Sequence, residues 1–230
     1  DDADWKEDSL KTFSSRLTSL EQLVKDCKKA ERKSVNILDK YMETVLQNCA
    51  NAATENYELM KFRSCVQYII FQLFNELNYY IERCGEIKNC NQNILKECVS
   101  TVIRLIAPFT PHISEELWNK LGHKNFISLG PWPTSDEKKI DKNILELENI
   151  FKKTQEDLNQ VLKLAGKKKN AYLYFVTDKE LNYFKESLNY LRDMFTFKKI
   201  ELYKVSDKNK YDPEGKASRS KYGKPAIYLE

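Results

Sequence analysis

Through residue 164 apolar side chains recur three and four apart; beyond residue 170 they no longer do. This change of period constrains the fold more than any other feature. Spacing near 3.6 builds helices with one apolar face, whereas alternation or a dense β-branched run builds strands. Phe13, Leu17, Leu20, Val24 and Cys27 make a first stripe. Val35, Leu38, Met42, Val45, Cys49 and Ala52 make a second, with Ser34 as its expected N-cap. Phe62, Val66, Ile69, Leu73, Leu77, Tyr80 and Cys84 make a third that Gly85 stops. Phe71 and Phe74 fall outside it, so this helix is expected to meet neighbours on more than one side. Ile94, Cys98, Val102, Leu105 and Ile106 make a fourth, and a charged helix from about Lys138 to Leu164 carries Ile144, Leu147, Phe151, Leu158 and Leu162. A strand is expected over Ala171–Val176, a helix over Leu181–Phe195, a strand over Ile200–Val205 and a short third strand over Ala226–Leu229. The chain therefore reads as mainly α: a helix bundle over residues 1–165, then a small α/β domain over 166–230.

The net charge of +4 is unevenly spread. Residues 1–165 carry 23 Lys and Arg against 25 Asp and Glu, and residues 166–230 carry 15 against 9. A basic end on a nearly neutral body points to an anionic partner, most simply nucleic acid. No apolar run approaches the roughly 20 residues of a membrane span. Asp1-Asp2-Ala3-Asp4-Trp5 lacks the basic and apolar regions of a signal peptide. The chain reads as cytoplasmic, without a membrane partner. Its six cysteines form no CxxC and accompany only two histidines, which argues against zinc and for reduced thiols packed as small apolar groups.

Between Leu105 and Pro133 lies LIAPFTPHISEELWNKLGHKNFISLGPWP. Pro108 and Pro111 fix a bend between two helices, Gly122 ends the second, and Gly130-Pro131-Trp132-Pro133 closes the segment as a turn. This wording resembles the α-helical tRNA-binding (anticodon-binding-type) bundle of class I aminoacyl-tRNA synthetases of the leucine, isoleucine and valine group. Pro111-His112-Ile113, Leu121-Gly122-His123 and Trp132-Pro133 look most like the leucyl branch. The ending, DPEGK followed by GKPAIYLE, is similar to the end of leucyl-tRNA synthetases of the archaeal and eukaryotic cytosolic type. The resemblance implies the C-terminal part of such an enzyme, with tRNA-Leu and the catalytic and editing domains of the same polypeptide as partners. It also implies a C-terminal domain that meets the long variable arm of tRNA-Leu. The family's domain carries more helical material between its strands, so this one is expected to reach less far across the RNA. An isoleucyl, valyl or methionyl enzyme, or a helical scaffold for protein partners, are the alternative readings.

Neither signature by which such enzymes activate an amino acid, a His-x-Gly-His motif or a Lys-Met-Ser-Lys-Ser loop, occurs in the chain. Ser218-Arg219-Ser220-Lys221 is only superficially like the second. No catalytic residue, cofactor site or metal ligand is expected; ATP and Mg belong to a catalytic core absent from this chain. His112 reads as a helix-start residue that caps or packs. Glu115 and Glu116 read as first-turn carboxylates favoured by the helix dipole. Trp118 and Trp132 read as aromatics between bend and bundle. The candidates for RNA contact are basic. Lys25, Lys28, Lys29, Arg32 and Lys33 end the first helix, where phosphate contact and a solvated helix terminus explain them equally well. Lys167, Lys168, Lys169, Lys216, Arg219, Lys221 and Lys224 lie in loops, and Tyr222 among them offers a ring for an unpaired base. From the resemblance, the terminal strand with Ile227, Leu229 and Glu230 is expected near the variable arm.

Overall fold

The computed structural model describes residues 7–166 and 168–230, so Asp1–Lys6, with the opening read against a signal peptide, and Lys167 lie outside the described residues. The chain forms two compact units: Asp1–Val35 with Met42–Ile140, and Asn36–Tyr41 with Asp141–Glu230. By packing, the main segment of the second unit begins at Asp141, ahead of the boundary read at 165/166. Periodicity shows that the helix after Ile140 has an apolar stripe; it does not show what that stripe packs against.

The first unit is helical. It contains α1 (Glu7–Asp26), most of α2 (Ile37–Glu58), α3 (Phe62–Val66), α4 (Phe74–Cys84), α5 (Gln92–Ile106) and α6 (Pro111–Lys120). The cap of α2 is Asn36 rather than Ser34: Asn36 Oδ1 accepts the Asp39 N–H at 3.0 Å, and Asp39 Oδ2 accepts the Asn36 N–H at 2.8 Å. Between α3 and α4 the backbone widens into a π-helical stretch, Gln67–Leu73. The extra width shifts the facing of the residues that follow. Phe71 thus meets Phe13 of α1 edge-on at 5.6 Å, and the Arg16 guanidinium lies over Phe71 and Phe74 at 5.8 and 5.9 Å. These are the second-side neighbours that the sequence predicts. Asn91 caps α5 by accepting the N–H groups of Asn93 and Ile94, and its own N–H donates to Tyr80 Oη at 2.9 Å. Cys98, Val99, Val102, Ile103 and Leu105 on α5 are fully buried. All six cysteines are free thiols, five of them buried. Burial pushes the Cys49 thiol up to about 12 and Cys65 up to about 11.

The bend forms as its prolines dictate. α5 stops at Ile106, whose carbonyl accepts the N–H groups of Phe109 and Thr110, and Pro111 opens α6. Glu115 and Glu116 are not first-turn carboxylates, because α6 already starts at Pro111 and its first turn holds no acid. Glu115 instead accepts the N–H groups of Ile127 at 2.8 Å and Ser128 at 3.2 Å, fastening the later turn to α6. Burial works against its charge, but these amides outweigh that and hold the carboxyl below its ordinary range. Trp132 donates from Nε1 to Thr54 Oγ1 at 2.8 Å and meets Tyr57 edge-on at 4.9 Å, so it does join the turn to the bundle. His112 is exposed on the first turn of α6 rather than packed.

The second unit pairs α7 (Lys142–Ala165) with a three-stranded sheet of order β2-β1-β3. β1 (Asn170–Phe175) runs parallel to β2 (Lys199–Lys204) and antiparallel to β3 (Ala226–Leu229). The single helix read over Leu181–Phe195 is two, α8 (Asp178–Lys185) and α9 (Leu188–Met194), broken at the buried Ser187. Alternation on β1 separates two faces. From one, Phe175 packs on Phe184 of α8 at 4.7 Å, and Phe184 on Phe151 of α7 at 4.9 Å. On the other, Tyr172 and Tyr174 bury against Ala217, with Tyr203 and Tyr228 beside them. Burying each such ring contributes about 1.5–3 kcal/mol, which is why this small sheet is covered on both sides.

Candidate nucleic-acid interface

The loop between β2 and β3 is built by its own polar groups. Asp212 accepts the N–H groups of Lys216 at 2.7 Å and Ala217 at 3.1 Å, closing a single 3-10 turn over Lys216–Arg219. Ser220 Oγ donates to the Tyr174 carbonyl at 2.6 Å, and the Tyr174 hydroxyl donates to the Tyr211 carbonyl. Lys221 and Lys224 then pair through two backbone bonds, 3.1 and 3.0 Å, around the tight turn Tyr222-Gly223. Gly223 adopts φ +80°, a conformation open to glycine at little cost. Its N–H donates at 2.9 Å to Glu180 Oε1.

This scaffold brings four of the candidates to one cleft. Lys216, Arg219, Lys224 and Ile227 line a space of about 350 Å³, opposite Asp157 and Gln160 of α7. Lys216 pairs with Glu214 at 3.0 Å and lies 5.2 Å from the Tyr228 ring centre. Lys221 stands exposed at the turn. The Tyr222 ring is 53% exposed, while its hydroxyl bonds to Glu146; that carboxylate, then burial, hold the phenol above its ordinary value. Sequence reasoning missed Asp157 and Gln160. Their only signal is that α7 turns polar residues outward opposite its apolar stripe.

The remaining candidates sit elsewhere. Lys168 and Lys169 precede β1, at the end of β3 away from the cleft, because the Glu230 carbonyl accepts the N–H groups of Lys169 and Asn170. The whole of β3 lies between the two basic groups. Lys198 and Lys199 start β2 on the same side, and Lys199 pairs with Glu201 at 2.8 Å. Leu229 is core, 7% exposed, and so offers packing rather than contact. On the first unit Lys25 pairs with Glu21 at 3.1 Å and Lys29 with Asp26 at 2.6 Å. Lys28 and Lys33 are exposed. Arg32 holds the Asn89 and Ser34 carbonyls, each at 2.6 Å, so its guanidinium serves the fold. Among the described residues no group of three or more His, Cys, Asp or Glu is placed to hold a metal, and no helix is long and apolar enough to cross a membrane.

A family model described as the anticodon-binding domain of tRNA ligase matches residues 39–176. The chain belongs to that family. The match runs from α2 to the end of β1. Curated relatives narrow the branch within the tRNA ligases. The chain is 36% identical over 146 residues to leucine–tRNA ligase 2 of Metallosphaera sedula, covering 63% of this chain and 15% of the relative. To leucine–tRNA ligase 2 of Sulfurisphaera tokodaii it is 26% identical over 211 residues, 90% of this chain and 22% of the relative. To the leucine–tRNA ligase of Pyrococcus furiosus it is 30% identical over 183 residues, 77% and 19%. This anticodon-binding chain thus spans about a fifth of the length of the relatives it matches, and they favour the leucyl reading over the isoleucyl, valyl and methionyl ones. A crystal structure titled as the ternary LeuRS–tRNA–LeuAMS complex of Agrobacterium radiobacter K84 shares the fold, with a TM-score of 0.50 and 16% identity over 87% of this chain and 26% of that one.

Proposed function

We propose that this chain is the tRNA-binding and orienting part of a cytoplasmic leucine–tRNA ligase and that its ligand is tRNA-Leu, body and long variable arm. In this reading ATP and Mg act in the catalytic core, which works with the editing domain on the RNA end that this part delivers. The observation that carries the reading is an alignment with a leucine–tRNA ligase over 90% of the chain. The structural neighbour is, by its title, a LeuRS bound to tRNA. The mechanism is positional: three cations of the cleft and the Lys168–Lys169 end of β1 follow the phosphates, and Tyr222 stacks on an unpaired base. Holding the tRNA body in one orientation supplies the proximity that the distant reaction needs.

Binding of the chain to tRNA-Leu, to tRNA-Leu with a shortened variable arm and to tRNA-Ile, each titrated with salt, tests this. Intact tRNA-Leu should bind tightest, and the advantage should vanish with the arm. Lys224→Ala should weaken binding and lower the log–log salt slope by about one. Equal, salt-insensitive binding to all three would instead favour a scaffold for protein partners.

A further inference from the structure

The proline bend of the first unit walls a second cleft of about 350 Å³. Arg104 of α5, Pro108, Pro111, Glu115, Trp132 and Pro133 line it. Arg104 is half-buried, its Nε has no hydrogen-bond partner, and Nη2 reaches only Thr101 Oγ1 at 3.4 Å. Withdrawal from water disfavours its charge; Glu97 opposes that through its field, and no carboxylate among the described residues forms an ion pair with it. A cation held this way is costly unless an oxyanion meets it, and the arginine fork suits phosphate best. Glu115, the one acid in the wall, already accepts two amide N–H groups and is fastened to the later turn. Most of the remaining wall is apolar, four of its residues being prolines, and Trp132 is fixed by its bond to Thr54. The volume is at the small end of ligand sites, enough for one nucleotide and too little for a folded segment.

We infer that this cleft holds a single nucleotide unit, its phosphate on Arg104 and its ribose and base against the prolines and Trp132. The inference rests on the tRNA-binding reading for its main occupant, an RNA nucleotide, but the same chemistry would take a free one.

The test uses the full chain with two probes, tRNA-Leu across a salt series and UMP followed by tryptophan fluorescence. Arg104→Gln should weaken tRNA-Leu about tenfold at low salt and lower the salt slope by about one, with Arg104→Lys recovering most of it. UMP should quench fluorescence in the wild type but not in Trp132→Phe. A UMP response with tRNA affinity unchanged in Arg104→Gln would assign the cleft to free nucleotides. Loss of tRNA binding in the wild type with UMP still bound would sink the tRNA reading and leave the cleft standing. Uridine binding as well as UMP would remove Arg104 from the site. The inference is overturned outright if Arg104→Gln changes thermal stability while neither ligand responds.

Discussion

His123 lies flat on Trp118, ring centres 3.5 Å apart and 8° from parallel, with Nε2 buried and without a hydrogen-bond partner. Burial first, then the positive charges of Lys96 and Arg104, lower its pKa. In the unfolded chain an imidazole takes its proton near pH 6.5. Between that value and the lower folded one the unfolded state binds more protons, so stability rises with pH and is lost as pH falls. Melting followed by circular dichroism from pH 7.5 to 5 should show a falling Tm, and His123→Phe should flatten the part that begins near 6.5. The sequence shows Leu121-Gly122-His123 as a helix end. It does not show that the chain turning at Gly122 lays the imidazole on the Trp118 ring, because that depends on the φ of +100° at Gly122 and on the packing of α6.

Among the elements, α8 shows what pattern reading reaches. Apolar positions place its start at Leu181, whereas the helix begins at Asp178 under a capping box in which Thr177 and Glu180 satisfy each other's backbone N–H groups. The Thr-x-x-Glu spacing is itself a start signal. Nothing local reveals that Glu180, 0% exposed, also takes the Gly223 N–H from a turn 43 residues later. That bond ties the basic turn to the rigid start of a helix. Glu180→Ala removes a cap and leaves the Gly223 N–H unpaired, a loss of about 3 kcal/mol in urea unfolding. tRNA-Leu affinity should fall with it, although residue 180 is too buried to touch RNA. Strand existence was legible to within a residue because β1 concentrates Tyr172, Leu173, Tyr174 and Phe175, and β2 sets Ile200 and Leu202 in alternation. The break at Ser187 was not, since its buried site is a property of the tertiary fold.

At the scale of the molecule, composition divides the chain where the charge changes, and packing divides it a helix earlier. α7 belongs with the sheet: Phe151 meets Phe184, and the Tyr183 hydroxyl donates to the buried Glu148. A fragment of residues 141–230 should therefore give dispersed amide spectra and a cooperative melt, whereas 166–230, stripped of that helix, should give neither. The candidate site divides in the same way. That the late basic residues gather was legible from their density in one loop. That Lys216, Arg219 and Lys224 converge while Lys168 and Lys169 lie roughly a strand's length off depends on the pairing of β3 against β1, which no spacing encodes. The turn at Tyr222-Gly223 carries one more implication. Lys221 and Lys224 sit opposite each other in a hydrogen-bonded pair, so two like charges share one side of a very short ribbon. Like charges placed opposite each other disfavour the folded turn slightly. A polyanion laid across it, as in the proposed function, would offset that repulsion and firm the turn that holds it.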